Sequence, residues 1–111
     1  MSPSNTTNPA TDSLIVRASQ LGADVLKEKT PKAARAYIGW IAELGPEVYM
    51  PAQGELETAL NLAVEDMSQA DLRPSQQITN YVFFRSIARM YGLEDRVKAY
   101  DAEIEKLSSR G

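Results

Sequence analysis

The sequence predicts an all-α fold, a compact bundle of about five helices in antiparallel hairpins. Apolar residues recur three and four positions apart through most of the chain, the spacing of one helix face. Thr30-Pro31, Gly45-Pro46, Arg73-Pro74-Ser75 and Gly92 cut that pattern into helix-length pieces. No run of β-branched residues alternates between turn signals, as strands would. At 111 residues, 43% hydrophobic and 24% charged, the chain suits one domain with one core.

Residues 1–11 are rich in Ser, Thr, Asn and Pro and carry almost no large apolar group, so a flexible tail is expected there, ahead of a single domain over 12–108. Thr11 or Asp12 can cap a first helix from about Ser13 to Lys29. Leu14, Ala18, Leu21 and Val25 line one face of it, widened by Ile15, Gly22 and Leu26. Thr30 as N-cap and Pro31 at the first helical position open a second helix that runs to Leu44. Ala33, Tyr37, Trp40, Ile41 and Leu44 face inward there, while Lys32, Arg35 and Glu43 face away. Gly45 suits a left-handed C′ position and Pro46 prevents continuation. The connection from Gly45 to Gly54 then places Val48, Tyr49 and Met50 where a solvent-washed loop would be polar.

A third helix is expected over roughly Ala52 to Ala70, with Leu56, Ala59, Leu60, Ala63, Val64 and Met67 inward and Leu62 out of phase beside Glu55 and Asp66. Ser75 can cap the fourth, near 76–91, which is the central hydrophobic helix of the predicted bundle. From Ile78 to Tyr91 its apolar residues point almost all the way round, and both phenylalanines, Phe83 and Phe84, lie in it. A helix of that kind is normally covered on several sides. After Gly92, a narrow seam of Leu93, Val97, Tyr100, Ile104 and Leu107 predicts an edge helix, fraying at 109–111. The hairpin SIARMYGLEDRVKAYDAEIEKL resembles a tetratricopeptide unit in its small residue, Tyr-Gly and Ala-Tyr, but does not keep that repeat's spacing.

For function, composition excludes more than it assigns. With neither cysteine nor histidine there is no disulfide framework, no thiol nucleophile, no zinc-thiolate site and no imidazole to ligate metal or act as general base. No nucleophile elbow, phosphate-cradling loop or EF-hand pattern is present, so no catalytic residue, metal site or cofactor is expected. A net charge of −3 argues against a nucleic-acid footprint. The N-terminus lacks the basic and apolar regions of a signal peptide, and no apolar run reaches the ~18 residues of a spanning helix. A cytoplasmic protein without membrane contact is the expectation.

Elimination leaves a non-enzymatic interaction module, such as an adaptor, inhibitor or regulatory subunit, whose partner is another protein. Its expected working surface is the acidic and apolar face of helix three, Glu55, Leu62 and Asp66, together with Tyr49 and Met50 of the 46–51 loop. Arg85 and Arg89, one helical turn apart, form a basic stripe that could hold an oxyanion or an acidic partner, or pair within the chain. The Leu93–Leu107 seam could pair with its own copy in a homodimer. The alternative is a helix-turn-helix-like nucleic-acid binder using the 85–100 hairpin, with Ile87-Ala88 ahead of Gly92-Leu93. Against it, Glu94-Asp95 at the head of the second helix would face a phosphate-lined groove.

Overall fold

Local signals place the helix ends, and five helices result: α1 (Pro9–Glu28), α2 (Pro31–Leu44), α3 (Glu55–Gln69), α4 (Pro74–Met90) and α5 (Glu94–Arg110). The structure, a computed structural model, describes residues 9–52 and 54–110, with side chains for 12–52 and 54–109. Most of the tail expected at 1–11 lies outside the described residues, and Pro9, Ala10 and Thr11 form the first turn of α1. No strand occurs among the described residues.

The sharpest boundary is the Thr30-Pro31 step. The Thr30 hydroxyl accepts from the Ala33 N–H at 3.2 Å, and Pro31 opens α2 with no orphan donor to satisfy. At the other end, Gly45 takes φ 81° and donates its N–H to the Ile41 carbonyl. Gly92 closes α4 at φ 77°: it donates to Arg89 while Leu93 donates to Ala88, the paired bonds of a Schellman motif. The cap expected of Ser75 is made otherwise. Pro74 is the first helical residue, Ser75 falls inside the first turn, and the Gln76 side chain reaches back to the Arg73 N–H at 2.9 Å. At the C-terminus α5 continues through Arg110, with the Ser109 hydroxyl donating to the Glu105 carbonyl.

In the pairs α1–α2, α2–α3 and α4–α5 the helices run antiparallel. Trp40 donates its indole N–H to the Leu14 carbonyl, Arg35 pairs with Asp66, and Arg85 pairs with Asp101. The first two contacts each pair an early residue of one helix with a late residue of its neighbour, and in the third Arg85, late in α4, meets the middle of α5. The first three helices pack on one another, and α4 packs mainly along α5. A Tyr91 hydroxyl bonded to the Ile41 carbonyl at 2.8 Å, with both groups buried, ties the α4–α5 hairpin to α2.

The most deeply buried large side chains are Val25, Tyr37, Ile38, Ile41, Leu60, Met67 and Ile87, so the core centres on α2 and α3. This corrects the expectation that the helix near 76–91 is enclosed on several sides. Tyr81, Phe84, Ile87 and Ala88 are buried, with Tyr81, Phe84 and Tyr100 stacked edge-to-face or tilted between α4 and α5. Val82, Phe83 and Met90 are each about 40% exposed. The apolar residues that pointed all round the helix therefore form two stripes, one buried and one open to solvent. Leu14 and Leu26 of α1, read as inward, are also exposed, because α1 is covered by α2 and α3 on one side only.

Candidate partner-binding face and its buried latch

Glu55 opens α3 directly after Gly54, whose left-handed φ of 85° turns the chain into the helix. Expected on the surface, its side chain is instead 6% exposed, the one buried charged residue among those described. The Tyr37 hydroxyl of α2 donates to Glu55 Oε2 at 2.5 Å, and the Tyr49 hydroxyl of the 46–51 loop donates to the same oxygen at 2.8 Å. Burying a carboxyl group is costly unless donors replace water, and two O–H donors do so here. Gly22 of α1 makes the room: a Cβ there would lie 2.4–2.6 Å from the Glu55 carboxyl atoms.

Both tyrosines are driven toward the protonated form. Burial pushes the Tyr37 hydroxyl far above its ordinary value, and the hydrogen bond to Glu55 adds to it. The same causes push Tyr49 up to about 12. Neither phenol can serve as a base near neutral pH, so the cluster acts as a latch. It holds the 46–51 loop against α1, α2 and α3, helped by the Val48 and Tyr49 N–H groups donating to the Gly45 carbonyl.

Replacing Gly22 by Ala tests the latch from the far side. Ala gains about 1 kcal/mol of helix propensity over Gly. The new methyl displaces the carboxyl group and breaks two charge-assisted bonds, each typically about 1.5–3 kcal/mol. The expected outcome is net destabilisation of about 2–5 kcal/mol in urea unfolding, against the stabilisation an open helical site would show.

The remaining residues named from the sequence are distributed as follows. Leu62 is not an exposed outlier: it is partly buried and packed against the core, because α3 is contacted by α1, α2 and α4. Asp66 stays near the surface but is paired with Arg35 of α2 at 2.5 Å. Arg85 pairs with Asp101 of α5 at 2.7 Å, and Arg89 is exposed with no ion pair among the described residues. Pairs this exposed contribute at most about 1 kcal/mol. With Arg85 engaged, the two arginines do not form a free clamp.

Met50 is open to solvent, at 63% exposed. It borders a cleft of about 240 Å³ between the loop and the α4–α5 turn, floored by Pro51, Leu56, Tyr91 and Leu93, with Glu57 at its edge. Glu57 and Leu93 also line an adjoining hollow that holds Glu94, Asp95 and Arg96. A separate groove of about 180 Å³ lies between α2 and α4, where Phe83 and Arg35 flank a floor of Ile38 and Phe84. The sequence reading missed Glu57 and the Tyr37–Glu55–Tyr49 cluster. One sign of the latter was available, since Glu55 sits within about 40° of Ala59 on the helical wheel, at the margin of the buried face.

Among the described residues no three metal-ligating side chains converge, and no helix is long and apolar enough to cross a membrane. Compared with protein-family models, curated proteins and solved structures, the chain matches none.

Proposed function

We propose that this chain is a small non-enzymatic protein–protein interaction module, an adaptor, inhibitor or regulatory subunit, that engages its partner through the face made by the 46–51 loop, the start of α3 and the α4–α5 turn. One observation carries the reading: Met50 is held open to solvent by a loop that is itself latched through Tyr49 to Glu55. A methionine is adaptable and rich in buriable area, the kind of side chain used at binding surfaces. A loop already fixed in place loses little entropy when a partner closes over it. Glu55 and Leu62 drop out of the proposed contact set because they are covered, and Asp66 lies on the α2 side with Arg35. The cysteine-free composition suits a cytoplasmic role.

A nucleic-acid reading of the 85–100 hairpin gains no support from these surfaces. The helices stay together along their length, from the Gly92 turn out to Tyr81 and Tyr100, rather than crossing steeply. The first turn of α5 carries Glu94 and Asp95. The test of the interaction reading is affinity capture from the native organism's lysate on the full chain. A specific partner should be retained by wild type and by Met50→Leu and lost by Met50→Asp. An identical captured set for all three would remove the loop face from the account.

A further inference from the structure

The cleft beside Met50 has two chemically different lobes. The first is apolar, floored by Pro51, Leu56 and Leu93. The second shares Glu57 and Leu93 with the first and adds Glu94 and Asp95. Among the described residues none of these three acids takes part in an ion pair; the pairs present join Arg35 to Asp66, Arg85 to Asp101 and Lys106 to Glu103. The cation lining the second lobe, Arg96, is turned to the Asn61 side chain of α3, outside the cleft. Part of the charge of Glu94 and Asp95 is offset by the N-terminal dipole of α5, and part of that of Glu57, at the junction of the lobes, by the dipole of α3, but a helix dipole leaves each carboxylate free to take a cation.

Resting on the interaction reading above, we propose that this two-lobed cleft docks a short extended segment of the partner in which an apolar side chain adjoins a lysine or arginine. The apolar lobe, about 240 Å³, has room for one branched or aromatic side chain, whose burial supplies the attraction. The neighbouring cation settles against Glu57, Glu94 and Asp95, which sets orientation and rejects acidic segments. An anionic or purely apolar occupant would leave three carboxylates facing like charge or desolvated without a partner.

The probe is a blocked peptide, Gly-Ser-Leu-Lys-Arg-Leu-Ser-Gly, titrated into the isotope-labelled full chain while amide shifts are followed. A peptide with Glu-Glu in place of Lys-Arg is the control. Expected are saturable shifts at Met50, Gly54, Glu57, Gly92 and Leu93, weakening as salt is added, and none with the acidic peptide. Neutralising all three acids in Glu57→Gln/Glu94→Gln/Asp95→Asn should weaken binding about tenfold with the amide spectrum otherwise retained. Phe83→Ser, in the groove between α2 and α4, should bind as wild type does. No saturable binding, shifts centred on Val82 and Phe83, or a triple variant that binds equally well would each overturn the assignment. So would the same shifts arising from raised protein concentration without peptide, since the occupant would then be a second copy. If the peptide fails while Met50→Asp still loses a captured partner, only the partner chemistry is wrong. If both fail, the loop face is not the working surface.

Discussion

Glu55→Ala should cost about 3 kcal/mol of folding stability, moving a urea midpoint by roughly 1–2 M at the slopes usual for small domains. The Tyr37 hydroxyl is completely covered, and Glu55 is its acceptor. Deleting that acceptor strands a buried donor, a loss of about 1–3 kcal/mol, and opens a small void beside Gly22. Tyr49, more open to solvent, can turn its hydroxyl to water and loses less. Removing both members in Tyr37→Phe/Glu55→Leu should cost clearly less than the two single changes together, because no buried polar atom is left unpaired. A Glu55→Ala protein within about 0.5 kcal/mol of wild type would mean that the carboxyl group is not holding the loop and three helices together.

A second large effect is expected in alkali. All five tyrosines of the chain, Tyr37, Tyr49, Tyr81, Tyr91 and Tyr100, are raised above 10.0, in each case first by burial. For Tyr37 and Tyr49 the bond to Glu55 adds to burial; for Tyr100 the nearby Arg96 opposes it. Below pH 10 the phenols are protonated in both states and contribute no pH dependence. Above it the unfolded chain ionises while the folded chain keeps its protons, so the unfolded state is increasingly favoured. Each tyrosine suppressed in this way contributes a slope of about 1.4 kcal/mol per pH unit. Tyr37, Tyr81, Tyr91 and Tyr100 are nearly inaccessible and all raised, so their contributions add and stability falls steeply once the pH passes 10. Tyrosinate absorbance and loss of far-UV ellipticity should therefore rise together in one transition between about pH 10 and 12. Phenols that titrate independently near 10 while helicity persists would contradict the burial of these rings.

The two expectations share a cause that is only partly visible in the one-dimensional pattern. Helix α2 was legible to the residue, Pro31 to Leu44, because its limits depend on neighbours in the chain: a threonine oxygen three residues from an amide, a proline with no N–H, a glycine free to take positive φ. The seam of α5 and the turn at Gly92 were legible for the same reason. The apolar composition of the 46–51 loop singled out Tyr49 and Met50 without deciding which of them is open; packing buries much of Tyr49 and leaves Met50 exposed.

Helical periodicity gives the direction in which a side chain leaves its own helix, not what stands in that direction. Glu55, Leu62 and Asp66 share one sector of α3, yet one is sealed beneath α1, one is half covered and one reaches Arg35. Phe83 and Phe84 are adjacent in an apolar run, and packing buries the second while leaving the first open. Glu57 gains its acidic neighbours Glu94 and Asp95 only when the α4–α5 turn folds back beside α3. Helix type and the limits of α2 were set by interactions within a few residues and could be read from order alone, whereas α1 begins at Pro9 rather than Ser13 and α3 at Glu55 rather than Ala52. The destinations of these side chains depended on contacts between segments far apart in the chain, which only the packed arrangement of the five helices decides.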